Sequence, residues 1–427
     1  MLDLNLVRSE PEVVRRDLQK RGALDKLTLL DELLEWDEKR RELITKANKL
    51  KHKRNIISQE ISELKASGKD FTQKKKEIEK LPSEIKAIDE KIKKSGEEVR
   101  QRLYRLPNLL HESVPEGSGE EDNQELRKWG DKKEFDFTPK DHIDLSLDLG
   151  LADVERAAKV AGARFYYLRG DLVLLNYALL KFSLDLLEKK GFVLYQPPYM
   201  LRRKGVESAT DLADFEEVIY KVEGEDLYLI PTSEHPLLAL HLDEILDGKG
   251  LPLKYGGISP CFRKEAGAHG RDTKGIFRVH QFEKVEQFVF CKPADSWKLH
   301  EELITNAEEL LRKLEIPYRV MNVCTGDIGT VAAKKYDLEA WLPGQARYRE
   351  VVSCSNCTDY QARRGNIRYR DNPGEPTQFV HTINSTLTAS ERTLIAIMEN
   401  YQQKDGSVRI PHALIPYMSG KEVIEKK

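Results

Sequence analysis

A chain of 427 residues is too long for one ordinary core and suits two or three domains. Its 70 Lys+Arg nearly balance 72 Asp+Glu, so the net charge of -2 points to no nucleic-acid or membrane partner, and any such argument rests on local clusters. Five scattered cysteines exclude a secreted disulfide framework, the first residues carry no basic-then-apolar leader, and no window approaches the ~18 consecutive apolar residues of a membrane span, so a cytoplasmic protein with no membrane association is expected.

From Leu29, the apolar residues Leu33, Trp36, Leu43, Ala47, Leu50, Ile57, Ile61 and Leu64 keep a strict alternation of four and three, with Arg40 and Arg54 filling two slots. That is a heptad seam. Ser67-Gly68-Lys69-Asp70 breaks it with turn residues. The seam resumes through Phe71, Lys74, Ile78, Leu81, Ile85, Ile88, Ile92, Ser95 and Val99, with Pro82 inside it as an expected kink. Two similar segments around a short turn predict an antiparallel two-helix coiled-coil arm. The first helix carries Lys39, Arg40, Arg41, Lys46, Lys49, Lys51, Lys53 and Arg54 against a single acid, Glu42. Such a face can follow a phosphate backbone. A solvated surface or an oligomerisation device fits the pattern as well.

Residues 108–135 are polar, acidic and rich in turn formers, and read as a linker between an N-terminal domain, 1–107, and a larger body, 136–427. In the body, helical patterns run over 172–190, 234–247, 294–314 and 386–403. Strand-like runs cover 227–230, 258–263, 277–291, 347–353 and 379–383. The strands do not alternate with helices of crossover length. The expected class is therefore α+β, an antiparallel sheet flanked by helices. Neither common phosphate-binding turn is present: there is no Gly-x-Gly-x-x-Gly and no Gly-x4-Gly-Lys-Ser/Thr.

Chemistry concentrates in a predicted hairpin: a strand through Cys261, Arg263 and Glu265, a loop over 266–275, and a strand from Ile276 to Glu286. Strict alternation puts Arg278, His280, Phe282, Lys284 and Glu286 on one face. Guanidinium groups neutralise phosphates, a ring stacks a base, and carboxylates accept from amino groups, so the face suits an adenine nucleotide. Cys354-x2-Cys357 is half a zinc site without a second pair.

The order Phe-Arg-x-Glu, long loop, Arg-Val-His-Gln-Phe-x-Lys-Val-Glu resembles motif 2 of the class II aminoacyl-tRNA synthetases in its seryl form. Gly191 to Met200, with Pro197 and Pro198, resembles the dimer-forming motif 1. Pro231 to Glu234 resembles the Thr-x-Glu loop of the seryl branch, and Thr386 to Asn400 resembles the motif 3 helix. Glu350 to Asn356 resembles the segment before it. With the arm, the likeness covers essentially the whole chain.

The resemblance implies ATP-dependent activation of L-serine and its transfer to tRNA(Ser), with tRNA(Sec) a further acceptor. It also implies a class II catalytic domain and a homodimer in which the arm of one subunit guides tRNA to the other. It implies that Arg263 binds the α-phosphate and the serine carboxylate, Glu265 the adenine amino group, and Arg278 the terminal phosphates. Phe282 would stack the adenine, and Arg392 its other face or the γ-phosphate. Lys264, Val279, Val351 and Val352 would complete the ATP contacts, and Glu350 and Ser353 would ligate Mg2+. The serine pocket would consist of Thr232, Ser233, Glu234, Glu286, Asn384 and Thr386, beside Arg263. Strict alternation separates Glu350 from Ser353, so shared ligation requires a bulge. Two positions depart from the common pattern: Thr386 stands where Ser is usual, and Glu391 where Gly usually precedes the motif 3 arginine.

Overall fold

The computed structural model describes residues 1–210, 217–265, 272 and 275–426. Two compact units result, Leu2–Pro107 and Asn108–Lys427, the second also counting Met1.

In the first unit, short helices α1 (Leu4–Ser9) and α2 (Pro11–Lys20) precede the long pair α3 (Asp25–Ala66) and α4 (Thr72–Arg105). The 42 residues of α3 span about 60 Å. Leu29, Leu33, Ala47 and Ile57 are buried on α3, and Leu81, Ile85, Ile88, Ser95 and Val99 on α4, which is the heptad seam. Pairs Arg102–Glu32 (2.9 Å), Lys51–Asp89 (3.0 Å) and Lys74–Glu60 (2.8 Å) cross between the helices in antiparallel register. Being exposed, they set register more than they stabilise. Arg40 fits the seam because Gly96 faces it: a Cβ there would lie 3.5 Å from the Arg40 Nε. The helix α4 continues through Pro82, where a kink is expected.

The second unit is built on an eight-stranded sheet. Its elements in chain order are β1 (Gln124–Trp129), α5 (Asp171–Lys189), β2 (Val193–Tyr195), α6 (Glu234–Ala239), β3 (Leu253–Phe262) and β4 (Gln281–Cys291). They continue with α7 (Ser296–Lys313), β5 (Tyr318–Asn322), β6 (Lys334–Leu342), β7 (Arg347–Thr358), β8 (His381–Ala389) and α8 (Ser390–Tyr401). The strand order is β1-β5-β6-β7-β8-β4-β3-β2. Every neighbouring pair is antiparallel except β2 with β3 at the edge.

Alternation along β4 explains the layering. Val285, Val289 and Cys291 join the main core with residues of α5, α7 and α8. On the opposite face Phe288 and Phe290 form a smaller core with Leu237 and Leu238 of α6. Phe282, Lys284 and Glu286 occupy the same face and line a cavity instead. Apolar side chains thus close one end of that face and polar ones open the other.

Three expectations need correction. Residues 108–135 are not a free linker. The Asn108 N–H donates to the Thr330 carbonyl (2.8 Å), its side chain to that of Cys357 (2.9 Å), and β1 pairs with β5 at the sheet edge. A segment full of turn formers can follow an irregular path and still satisfy its backbone on the body. The helix expected over 386–403 starts at Ser390, because the β-branched Thr386 and Thr388 prolong β8. The helix expected over 234–247 stops at Ala239, and Ile245–Asp247 pairs as a strand with Arg368–Arg370. Among the described residues, no helix is long and apolar enough to cross a membrane.

Candidate active site

A cavity of about 290 Å³ opens on the polar end of the sheet face. Strand β4 supplies Phe282, Lys284 and Glu286. Strand β7 supplies Glu350, Val351, Ser353 and Ser355, and β8 supplies Asn384 and Thr386. Arg263 and Glu265 enter just beyond β3, Glu391 and Arg392 from the first turn of α8, and Thr232 and Glu234 from the start of α6.

The Arg263 guanidinium lies over the Phe282 ring at 5.1 Å and its Nε donates to the Pro231 carbonyl at 3.2 Å. Glu265 adopts a left-handed backbone, φ 49°, and accepts from Arg278 at 2.9 Å. Arg392 lies over Phe277 at 4.8 Å and reaches the Glu350 carboxylate at 3.3 Å. Guanidinium groups and rings therefore alternate along the cavity wall, an arrangement that takes phosphates and a flat base.

The inner end is acidic. Glu286 is buried beside Lys284, with which it pairs, and faces Thr386 directly across the β4–β8 pair. Burial drives its carboxyl pKa upward. Glu234 accepts from Gln361 (2.7 Å) and Asn384 (3.2 Å). Burial, reinforced by the charge of Glu286, pushes it up to about 7. The Thr232 hydroxyl accepts the Glu234 N–H at 3.1 Å, so this residue ties down the loop entering α6 and also faces the cavity. Two carboxylates, a buried lysine and two threonine hydroxyls form a small polar chamber suited to an ammonium and a hydroxyl.

Two bulges create this convergence. In β7, Leu338 pairs with Val352 but Glu339 pairs with Glu350, leaving Val351 as an extra residue. That slip puts Glu350 on the same side as Ser353 and Ser355. In β8, Thr386 faces Glu286 while Thr388 faces Val285, so Leu387 is extra and Thr386 stays in the cavity. Although burial opposes its ionisation, Arg392, Lys335 and Arg263 hold Glu350 below the usual carboxylate range. Asp337, opposite Ser353, is pushed up to about 7 by burial.

Several expected site residues lie elsewhere. Ser233 is fully buried, with its hydroxyl on the Gly257 carbonyl. Lys264 donates its backbone N–H to Val218 and its side chain passes over the Tyr220 ring. Val352 belongs to the main core, on the far side of the bulge. Arg278 lines the cavity, but from the approach to β4 and not from a strand, since β4 begins at Gln281. His280 leaves the expected face: its Nδ1 sits 2.8 Å from the Arg263 carbonyl and 3.0 Å from the Tyr220 hydroxyl. Val279 lines the cavity in its place. Of the loop over 266–275, only Asp272 and Gly275 are among the described residues, and Asp272 bonds Arg349 at 2.6 Å. Cys354 points at the His300 carbonyl, and Cys357 accepts from Asn384 at 3.5 Å.

Sequence reasoning put Lys284 on this face without giving it a role, and missed Phe277, Ser355, Ala389 and Glu391 as lining residues. Lys284 was visible by alternation with Phe282 and Glu286, and Ser355 by its spacing from Ser353. Glu391 was visible only as a departure from pattern.

The model of the seryl-tRNA synthetase N-terminal domain matches residues 1–110, and the class II core domain (G, H, P, S and T) matches 218–401. The serine--tRNA ligase of Methanocella arvoryzae is 54% identical over 425 residues, covering 99% of this chain and 100% of the relative. This chain belongs to the seryl-tRNA synthetase family. The crystal structure of the Pyrococcus horikoshii family member complexed with ATP superposes with a TM-score of 0.96 at 50% identity over the whole of both chains. The cytoplasmic serine-tRNA ligase of Naegleria fowleri, in complex with AMP, gives 0.90 at 39% identity, with 100% of this chain and 99% of the other covered. The family's two parts thus correspond to the arm and the sheet described above.

Proposed function

We propose that this chain is an aminoacyl-tRNA ligase that activates L-serine with ATP and transfers the seryl group to tRNA(Ser). The observation that carries this reading is the acidic chamber of Glu234, Glu286 and Thr386 opening, past Arg263, into a groove of alternating rings and guanidinium groups. The serine ammonium pairs with Glu234 beside Thr232. Its hydroxyl is held by Glu286 and Thr386, and its carboxylate turns toward Arg263. Adenine stacks on Phe282 with its amino group at Glu265, and Arg278 and Arg392 take the terminal phosphates.

Serine arrives with its carboxylate ionised, so adenylation requires no general base. It requires alignment of that oxygen with the α-phosphorus and neutralisation of the phosphoryl charge, both tasks for Arg263. The donors also fit Mg2+. The bulge at Val351 brings the Glu350 carboxylate and the Ser353 hydroxyl to one side, and this ion takes one or two protein oxygens and completes its shell with phosphate oxygens and water. Among the described residues no three His, Cys, Asp or Glu side chains gather to hold an ion unaided. When bound, the ion would offset phosphate charge. Pyrophosphate then leaves, and a terminal ribose hydroxyl of the tRNA attacks the seryl carbonyl of the adenylate, forming the ester and releasing AMP.

Alanine would leave Glu286 and Thr386 without a hydroxyl, which a buried polar site rejects by roughly 10⁴-fold. We further assign homodimerisation to apolar side chains left exposed on two elements, Leu174 and Tyr177 on α5 and Val193 on the edge strand β2. The five cysteines are free and buried, which supports a reducing, cytoplasmic setting.

The test is ATP–pyrophosphate exchange measured with each of the twenty amino acids. Exchange is expected with serine alone and is expected to vanish in Arg263→Ala. Exchange driven by another amino acid, or near-normal exchange in that variant, would overturn the assignment.

A further inference from the structure

Glu391 is the one acid in the first turn of α8, and it is 2% exposed. Both of its carboxylate oxygens accept the Glu283 N–H, at 3.1 and 3.2 Å, and Oε1 also accepts the Tyr166 hydroxyl. A second bridge runs parallel. The Ser390 hydroxyl donates to the Asn176 side chain of α5, which in turn donates to the Glu283 carboxylate. Glu283 sits between Phe282 and Lys284, whose side chains face the cavity, while Glu391 precedes Arg392. The segment carrying Tyr166 also grips the approach to β4. The Arg164 carbonyl accepts the His280 N–H at 3.1 Å, and Phe165 stacks on the His280 ring at 5.2 Å. Both walls that face adenine, β4 with Phe282 and α8 with Arg392, are therefore fastened at one buried carboxylate, away from the serine chamber.

We propose that Glu391 is a positioning residue for the adenine end of the cavity, locking the start of α8 to β4 through the Glu283 N–H and to the 164–166 segment through Tyr166. The proposal rests on the ATP site assigned above. A buried carboxylate accepting two donors loses both in alanine, whereas glutamine keeps an acceptor for the N–H and offers a donor to the tyrosine oxygen.

The experiment compares Glu391→Ala, Glu391→Gln and Tyr166→Phe in serine-dependent pyrophosphate exchange, with ATP binding measured separately by calorimetry. Glu391→Ala, which removes the acceptor of both donors, is expected to raise the KM for ATP about tenfold, while the KM for serine stays within about twofold. Glu391→Gln should restore most of the ATP affinity and Tyr166→Phe should fall between. Equal rises in both KM values, an unchanged ATP KM, or glutamine no better than alanine would overturn the proposal. Should the alanine variant fail to fold, Tyr166→Phe decides by the same split. Absence of serine-dependent exchange in the parent protein would instead defeat the functional assignment, and the calorimetric ATP affinities of the variants would still test the clamp.

Discussion

Glu234 and Glu286 are carboxylates that the fold buries within one chamber, and the cost of doing so has a pH signature. The folded-state pKa of Glu234, about 7, lies above its ordinary 4.5, so between those values the folded chain binds a proton that the unfolded chain has released. Stability from this group is therefore fullest below pH 4.5 and declines as pH rises through 7, a loss of about 3 kcal/mol on the alkaline side. Glu234→Gln removes the titration but keeps the shape. Its melting temperature relative to the parent should climb between pH 5 and 8, while serine-dependent exchange collapses. An offset of equal size at both pH values would contradict the assignment of this burial cost to Glu234. The same residues show how far side chains could be assigned from order alone. Arg263, Phe282 and Glu286 were recognisable because rings, guanidinium groups and acids recur at strand spacing. Ser233 and Lys264 were misplaced because neighbours in sequence point apart, one into packing and one over Tyr220.

The long helices were legible because a heptad seam is local: the buried seam residues of α3 and α4 meet through a period visible in the chain. The two strands that build the site were less so. A bulge costs one residue of register and leaves no periodic trace, yet those at Val351 and Leu387 decide which side Glu350 and Thr386 take. The boundary at Ser390 was missed for a related reason: Thr386 to Ala389 fits either a strand end or a helix start, and pairing with β4 chooses the strand. The arm carries the next prediction. Lys51 and Lys53 already pair with acids across the hairpin and Arg41 pairs with Asp37, so the cations left for a phosphate backbone include Lys46 and Lys49. Deleting residues 30–100 should leave serine-dependent exchange intact and abolish charging of tRNA(Ser), measured side by side on one preparation. Full charging by the shortened chain would show that the arm serves another purpose.

In the intact protein, α5 presents Leu174 and Tyr177, 56% and 60% exposed, and the edge strand β2 presents Val193 at 55%. Replacing both Leu174 and Tyr177 by Asp should convert a dimer into monomers in sedimentation, because two desolvated charges per subunit cost far more than the apolar contacts return. A parent that sediments as a monomer would remove the dimer assignment. What the sequence alone determined was the existence of an arm, the α+β class of the body and the chemical types at the site, since heptad period, strand alternation and residue chemistry are all properties of short stretches. What the tertiary structure decided was which of those residues meet. The cavity draws on β4, β7, β8, α6, α8 and the segment just after β3, which together span more than 150 residues, from Thr232 to Arg392. Its details depend on two bulges and on a carboxylate at Glu391 shared between distant segments. Contacts of that kind come from sheet pairing and burial acting over the whole body, and no local period encodes them.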